Sequence, residues 1–146
     1  MTAKNAAAHG STSHAQIFIN LPVKDLDRSI RFFTELGYSF NPAFTDENAT
    51  CMILGENLFV MLLVEKYFAT FVTRPVADPG KSVGALIALP LDSREAVDAL
   101  VARAVAAGGR TPREAIDHGF MYQHGFEDPD GHVWEVFHMA GEPPQA

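Results

Sequence analysis

Cysteine is almost missing from this sequence: Cys51 stands alone, so no disulfide can form within the chain. Its neighbours Ala49-Thr50 and Met52-Ile53-Leu54 read as strand core, which makes Cys51 a buried thiol rather than a nucleophile. Positive charge is also short, with 11 Lys and Arg against 18 Asp and Glu and a net charge of -7. Binding a phosphate backbone needs the opposite balance, so nucleic acid is excluded as a partner. No apolar run approaches the ~20 residues of a membrane helix, and no membrane association is expected. The first sixteen residues are small and polar and lack the apolar centre of a signal peptide, so a cytoplasmic location is expected.

What is abundant is phenylalanine: eleven residues that supply large buried area without needing a hydrogen-bond partner. A chain of 146 residues fits one domain. Ile17–Leu21 reads as a strand ending at Pro22-Val23, and Asp25 is placed to cap a helix carrying Leu26, Ile30 and Phe33 at helical spacing. Gly37 offers a left-handed stop. Strands are expected near Tyr38–Phe44, Ala49–Leu54 and Leu58–Val64, with Gly55-Glu56-Asn57 as a turn. The second half repeats the order. Leu86–Leu91 is a strand, and Asp92 to Glu95 has capping-box spacing. Val97, Leu100, Val101, Ala104 and Val105 form an apolar stripe closed by Gly108-Gly109. Strands near Arg113–Asp117, Phe120–Glu127 and His132–His138 complete it, the last two joined by the turn signal Asp128-Pro129-Asp130-Gly131.

Ile19-x-Leu21-Pro22-Val23 also matches Ile87-x-Leu89-Pro90-Leu91 in letters, and the shared order of elements makes this an internal duplication. The reading is an α+β fold of two βαβββ modules forming curved mixed sheets around a cleft. A tail at 1–15 precedes a single domain at 16–140, and a second tail follows at 141–146. Module one covers about 16–64, a linker 65–82, and module two about 83–139. Phe68, Phe71 and Val72 give the linker one short helix, expected to pack rather than to act as a lid.

Leu21-Pro22-Val23-Lys24-Asp25-Leu26-Asp27-Arg28-Ser29-Ile30-Arg31-Phe32-Phe33 resembles the opening strand and helix of the vicinal-oxygen-chelate superfamily. Asp128-Pro129-Asp130-Gly131-His132-Val133-Trp134-Glu135-Val136-Phe137 is similar to its closing hairpin. That superfamily includes glyoxalases, bleomycin-resistance proteins and extradiol dioxygenases. The resemblance implies a small-molecule cleft, a homodimer, and in metal-dependent members a divalent ion acting as a Lewis acid. Its ligand positions fall here on Phe18, Leu86, one of Met61 or Leu62, and Glu135. Only the last can coordinate a cation, so the usual metal site is expected to be lost.

Other polar residues are candidates for the cleft. His118, Tyr122 and His124 lie on the strands leading into the Asp-Pro-Asp-Gly turn. The simplest hairpin register sets His124 directly across from Glu135, while a bulge at Gly131 would slip it by one and separate their faces. A hydrogen-bonded or solvent-facing His124 is the preferred reading. No cofactor is assigned, although His124 and Glu135 with one more donor leave an atypical divalent metal open. His132 and His138 share the parity of Trp134 and are expected on the helix side or at an oligomer contact, while His9 and His14 fall in the tail. Phe18, Phe59, Tyr122, Phe126 and Phe137 could wall the cleft, and Glu135 would be its functional carboxylate.

Two functions compete. One is small-molecule binding in an aromatic cleft, in the manner of bleomycin-resistance proteins. The other is lyase or isomerase chemistry of the lactoylglutathione-lyase kind, with Glu135 as general base.

Overall fold

The computed structural model describes residues 10–142, so His9 and parts of both expected tails (1–15 and 141–146) lie outside the described residues. Ile17–Val23 forms β1, Leu26–Glu35 α1, Ser39–Asn41 β2, Ala49–Gly55 β3 and Leu58–Val64 β4. A short α2, Glu65–Phe68, begins the connection to β5, Leu86–Pro90. Then come α3 (Arg94–Ala106), β6 (Ile116–Asp117), β7 (Met121–Glu127) and β8 (Val133–Met139). The expected duplication is visible in the pairing. One sheet has the order β1-β4-β3-β2 and the other β5-β8-β7-β6, each with its first strand parallel to its fourth. Phe18 pairs with Phe59 in the first sheet and Leu86 with Val133 in the second, each one residue before an inward Ile. Phe18 and Leu86 are therefore equivalent, and so are Met61 and Glu135 two residues further along their strands.

Asp25 caps α1 as expected, its carboxylate accepting the Arg28 amide at 3.1 Å. At α3 the expectation fails by one residue. Leu91 still donates to the Phe137 carbonyl, so the chain turns later and Ser93, not Asp92, accepts the Ala96 amide. The strand expected at Tyr38–Phe44 stops at Asn41, because Pro42 has no amide for the ladder and opens a 3₁₀ turn. Likewise Arg113–Asp117 is a strand only at Ile116–Asp117.

Both helices lie between the two sheets and share one core. Phe33 of α1 meets Trp134 of β8 edge-on at 5.2 Å, and Phe32 lies 6.1 Å from Phe126 of β7. Val97, Leu100, Val101 and Ala104 are buried from α3, whereas Val105 is exposed, so the expected stripe is one residue narrower. The thiol of Cys51 is buried as expected, and burial pushes its pKa up.

The modules are also joined by polar contacts at the Asp128–Gly131 turn. Asp130, only 6% exposed, accepts the Lys24 amide at 2.9 Å and is reached by Arg28 Nη2 at 3.2 Å and Ser29 Oγ at 3.4 Å. His132 Nε2 lies 2.7 Å from the Pro22 carbonyl, to which it donates. Asp128 holds the turn itself. Its Oδ1 accepts the amides of Asp130, Gly131 and His132, and its Oδ2 accepts the Trp134 indole N–H. Burial pushes the Asp128 carboxyl above its usual range, against the pull of His132 and the indole N–H. Asp130→Ala should cost about 3 kcal/mol in urea denaturation at pH 7, because it strands a buried amide and hydroxyl and removes a charged partner. A loss below about 1 kcal/mol would show that the turn rests on module one without holding it.

Candidate functional site

With the helices occupying the middle, each sheet turns one face outward. On the first sheet this face carries Phe18 and Phe59, stacked at 4.8 Å with an interplanar angle of 14°. Phe18 is 49% exposed, and Ile17 and Leu58 at the same end are comparably open. On the second sheet the outward face carries Leu86 (52% exposed), Gln123, Val133, Glu135 and Phe137. Val133 and Phe137 therefore flank Glu135 on this face.

The register of the closing hairpin decides what else stands beside Glu135. Gly131 takes φ +101°, its amide bonds the Asp128 carbonyl, and Asp128 N–H bonds the His132 carbonyl. That is a three-residue loop closed by a left-handed glycine, the geometry of a turn with a one-residue bulge. Every pair shifts by one: Gly125 stands across from Glu135, and His124 across from the buried Val136. The simplest register, with His124 opposite Glu135, is thus corrected.

The consequence for Glu135 is space. A side chain at Gly125 would place its Cβ 3.2 Å from the carboxyl carbon and both oxygens of Glu135, so the carboxylate folds over the glycine. Among the described residues it has no ion-pair or hydrogen-bond partner within the protein. It borders a cavity of about 210 Å³ with Leu86, Arg113, Ile116, Gln123 and Gly125. Nothing in the pattern of residue types marked Gln123 or Arg113; the glycine at 131 was the available signal, since it sets the parity of β7.

The remaining candidates do not converge on this carboxylate. His124 borders the same cavity, but its Nε2 lies 3.1 Å from both Thr111 Oγ1 and the Arg113 carbonyl. It ties the 111–113 segment to β7, leaving Nδ1 buried without a partner. Tyr122 faces the helix layer instead. Its hydroxyl donates to Asp98 at 2.6 Å, and the Arg94 guanidinium sits 4.9 Å from its ring centroid. His118 is exposed beyond the start of β7, 6.1 Å from the Phe120 ring. Phe126 is part of the core and also borders the cavity beside Glu135. His138 donates from Nδ1 to the Leu91 carbonyl, on the inner side expected of it.

The donor set does not fit a divalent cation of the kind the resemblance implies. Phe18, Met61 and Leu86 stand at three of the four equivalent strand positions. Among the described residues no three His, Cys, Asp or Glu side chains are grouped to hold a metal.

The family described as bleomycin resistance protein-like N-terminal matches residues 16–55. A glyoxalase-related enzyme from Fulvimarina pelagi is 26% identical, with a TM-score of 0.74 over 90% of this chain and 93% of its own. Protein SA1046 from S. aureus is 25% identical, with a TM-score of 0.74 over 86% and 94%. The fold is that of the vicinal-oxygen-chelate superfamily. A lactoylglutathione lyase from Agrobacterium tumefaciens shares the fold alone, at 16% identity and a TM-score of 0.65 over 88% of this chain and 96% of its own. No curated protein matches the sequence. As in the sequence reading, no described helix is long and apolar enough to cross a membrane.

Two glycines of this vicinal-oxygen-chelate fold separate site from scaffold. Gly125→Ala presses only on the end of a flexible side chain and should cost below about 1 kcal/mol. At Gly109 a new Cβ would sit 2.6 Å from the Glu127 carbonyl oxygen and 3.0 Å from that of Ala104. Gly109→Ala should therefore cost about 3 kcal/mol or more, and thermal melts of the two variants compare them directly. Equal costs would mean that Glu135 is held in place rather than free to meet a ligand.

Proposed function

We propose that this chain is a small-molecule binding protein of the glyoxalase/bleomycin-resistance kind, whose cleft is lined by the outward sheet faces and polarised by Glu135. The observation that carries this reading is a carboxylate without a protein partner on a sheet face that it shares with Leu86, Gln123, Val133 and Phe137. Such a group is costly to desolvate unless something donates to it. A ligand with a hydroxyl or amine donor and an aromatic body would satisfy the carboxylate and stack on Phe18 and Phe59. The site has Glu135, Phe18 and Phe59 as its principal residues, with His124 at its border. His118 and Tyr122 have no role in it, because neither stands beside Glu135.

The two outward faces lie on opposite sides of the shared core, so one chain alone cannot close a cleft between them. Exposed Phe18 and Leu86 on these faces, with Ile17 and Leu58 open at the end of the first sheet, favour a homodimer in which each face is covered by a second copy. A cytoplasmic setting belongs to the same proposal.

The alternative is lyase or isomerase chemistry with Glu135 as base. A free carboxylate over a glycine, beside an open cavity, can accept a proton from a bound carbon acid. Without a cation the resulting oxyanion would need donors, and the Arg113 side chain borders the same cavity. Binding remains the better supported of the two, since the outward faces offer apolar area and few donors.

Sedimentation at micromolar concentration is expected to give a dimer. The neutral probe 2-naphthol should bind saturably and lose about tenfold in affinity in Glu135→Gln, an energy of ~1.4 kcal/mol. That variant should melt no lower than the parent at pH 7, because no protein partner of the carboxylate is lost. Isomerisation of the glutathione hemithioacetal, with or without added nickel or zinc, should stay at the uncatalysed rate. Catalysis lost in Glu135→Gln would replace the binding reading with the lyase reading.

A further inference from the structure

A cavity of about 520 Å³ lies away from Glu135 and is more than twice the volume of the 210 Å³ space beside that residue. It sits where the linker crosses the module boundary, between the end of β1 (Asn20–Pro22) and the start of β8 (Gly131–Val133). Linker residues from Phe68 to Ala85 make the rest of its wall. Expected to pack, Phe71 is instead 65% exposed and stands edge-on to Tyr67 at 5.1 Å, while Val72 and Val83 are open around the same space.

The roof of the cavity is fixed rather than loose. Asp78 Oδ1 accepts the Gly80 amide at 2.9 Å and lies 3.4 Å from Lys24 Nζ. Beyond it, Gly80 packs so closely on Gly131 that a Cβ there would lie 2.9 Å from the Gly80 Cα. Pro75 and Pro79 remove further backbone freedom.

Charge selects the occupant. In a chain with 18 carboxylates and a net charge of -7, not one Asp or Glu lines this cavity. Arg74 is its one Lys or Arg, and among the described residues it makes no salt bridge. The amides of Arg74, Val76 and Gly84 likewise have no carbonyl acceptor among the described residues. A largely apolar, half-open groove with Arg74 as its single Lys or Arg matches a flat hydrocarbon body bearing one carboxylate. Asp78 in the roof is already paired with Lys24 Nζ and the Gly80 amide, and carboxylates further off oppose this little, because at physiological salt their field decays over ~8 Å.

We propose that this inter-module cavity is a binding site for small aromatic carboxylates, with Arg74 pairing the carboxylate and Phe68, Phe71, Val72 and Val83 enclosing the ring system. It shares only Val133 with the cavity beside Glu135, whose carboxylate would repel such an anion, and does not depend on the function proposed there.

The probe is 2-naphthoate, titrated into the full chain by calorimetry and by amide chemical shifts. Saturable binding is expected, with shift changes confined to residues 20–21, 68–85 and 131–133. Arg74→Gln should weaken it at least tenfold, and the uncharged 2-naphthamide should bind the parent about as weakly. Arg31→Gln, an exposed change on α1, should leave affinity unchanged and controls for net charge. Because Arg74 is exposed, its variant is expected to melt with the parent. No saturable binding, undiminished binding by Arg74→Gln, or shifts centred on Phe59, Gly125 and Glu135 would each overturn the proposal.

Discussion

Asp130 is nearly inaccessible, yet bonded to groups more than a hundred residues away in the chain. Its partners are the Lys24 amide, the Arg28 guanidinium and the Ser29 hydroxyl, all at the junction of β1 and α1. Removing that carboxylate from water is costly, and only the full set of donors offsets it. The hairpin must therefore present Asp130 at one position, which the neighbouring Asp128 enforces by accepting three consecutive amides of the turn. Bonding of Trp134 to the same Asp128 then fixes the ring against which Phe33 packs. Polar latch and aromatic core are consequently two sides of one arrangement, and the placement of both outward faces follows from it.

The two stretches that carried the family resemblance are the two halves of this latch, a relation that motif reading alone did not reveal. Duplicated element order was legible because strand and helix periodicities are local properties of the chain. Its boundaries moved at Pro42, at the late turn into Ser93, and at residues 113–115, which lie outside the sheet. The site was less legible, since side-chain parity along β7 depends on one backbone torsion at Gly131. Taking φ +101° there carried His124 to the inner face and Gly125 to the outer one. Tyr122 looked like a ligand contact by residue type, yet its hydroxyl found Asp98 on α3. Phe18 and Phe59 needed only strand alternation to be placed, and strand alternation was enough.

Duplication also sharpens what is particular about Glu135. Its counterpart Met61 occupies the same register on the same kind of strand, yet it is a thioether where the second module has a carboxylate. Phe18 and Leu86 differ in the same sense, aromatic against aliphatic. The first sheet thus presents a stacking surface, and the second a surface with one acceptor and a glycine beneath it. A ligand touching both kinds of face would meet a platform on one side and a polar anchor on the other, which makes orientation, more than affinity, the property that the pair controls.

Sharing the core between modules has a further cost in time. Phe32 and Phe33 emerge early in synthesis, whereas Phe126 and Trp134, their aromatic cover, are among the last residues added. At ~5–20 residues per second, ribosomal elongation leaves that gap of some ninety residues open for about 5–20 s. Once β4 has been added, at Val64, a four-stranded sheet can form on the nascent chain beside an aromatic helix face that still lacks its cover. Collision with neighbouring chains, or escort by a holding chaperone, competes with completion of the fold during this window, which closes only after Asp130 has been made.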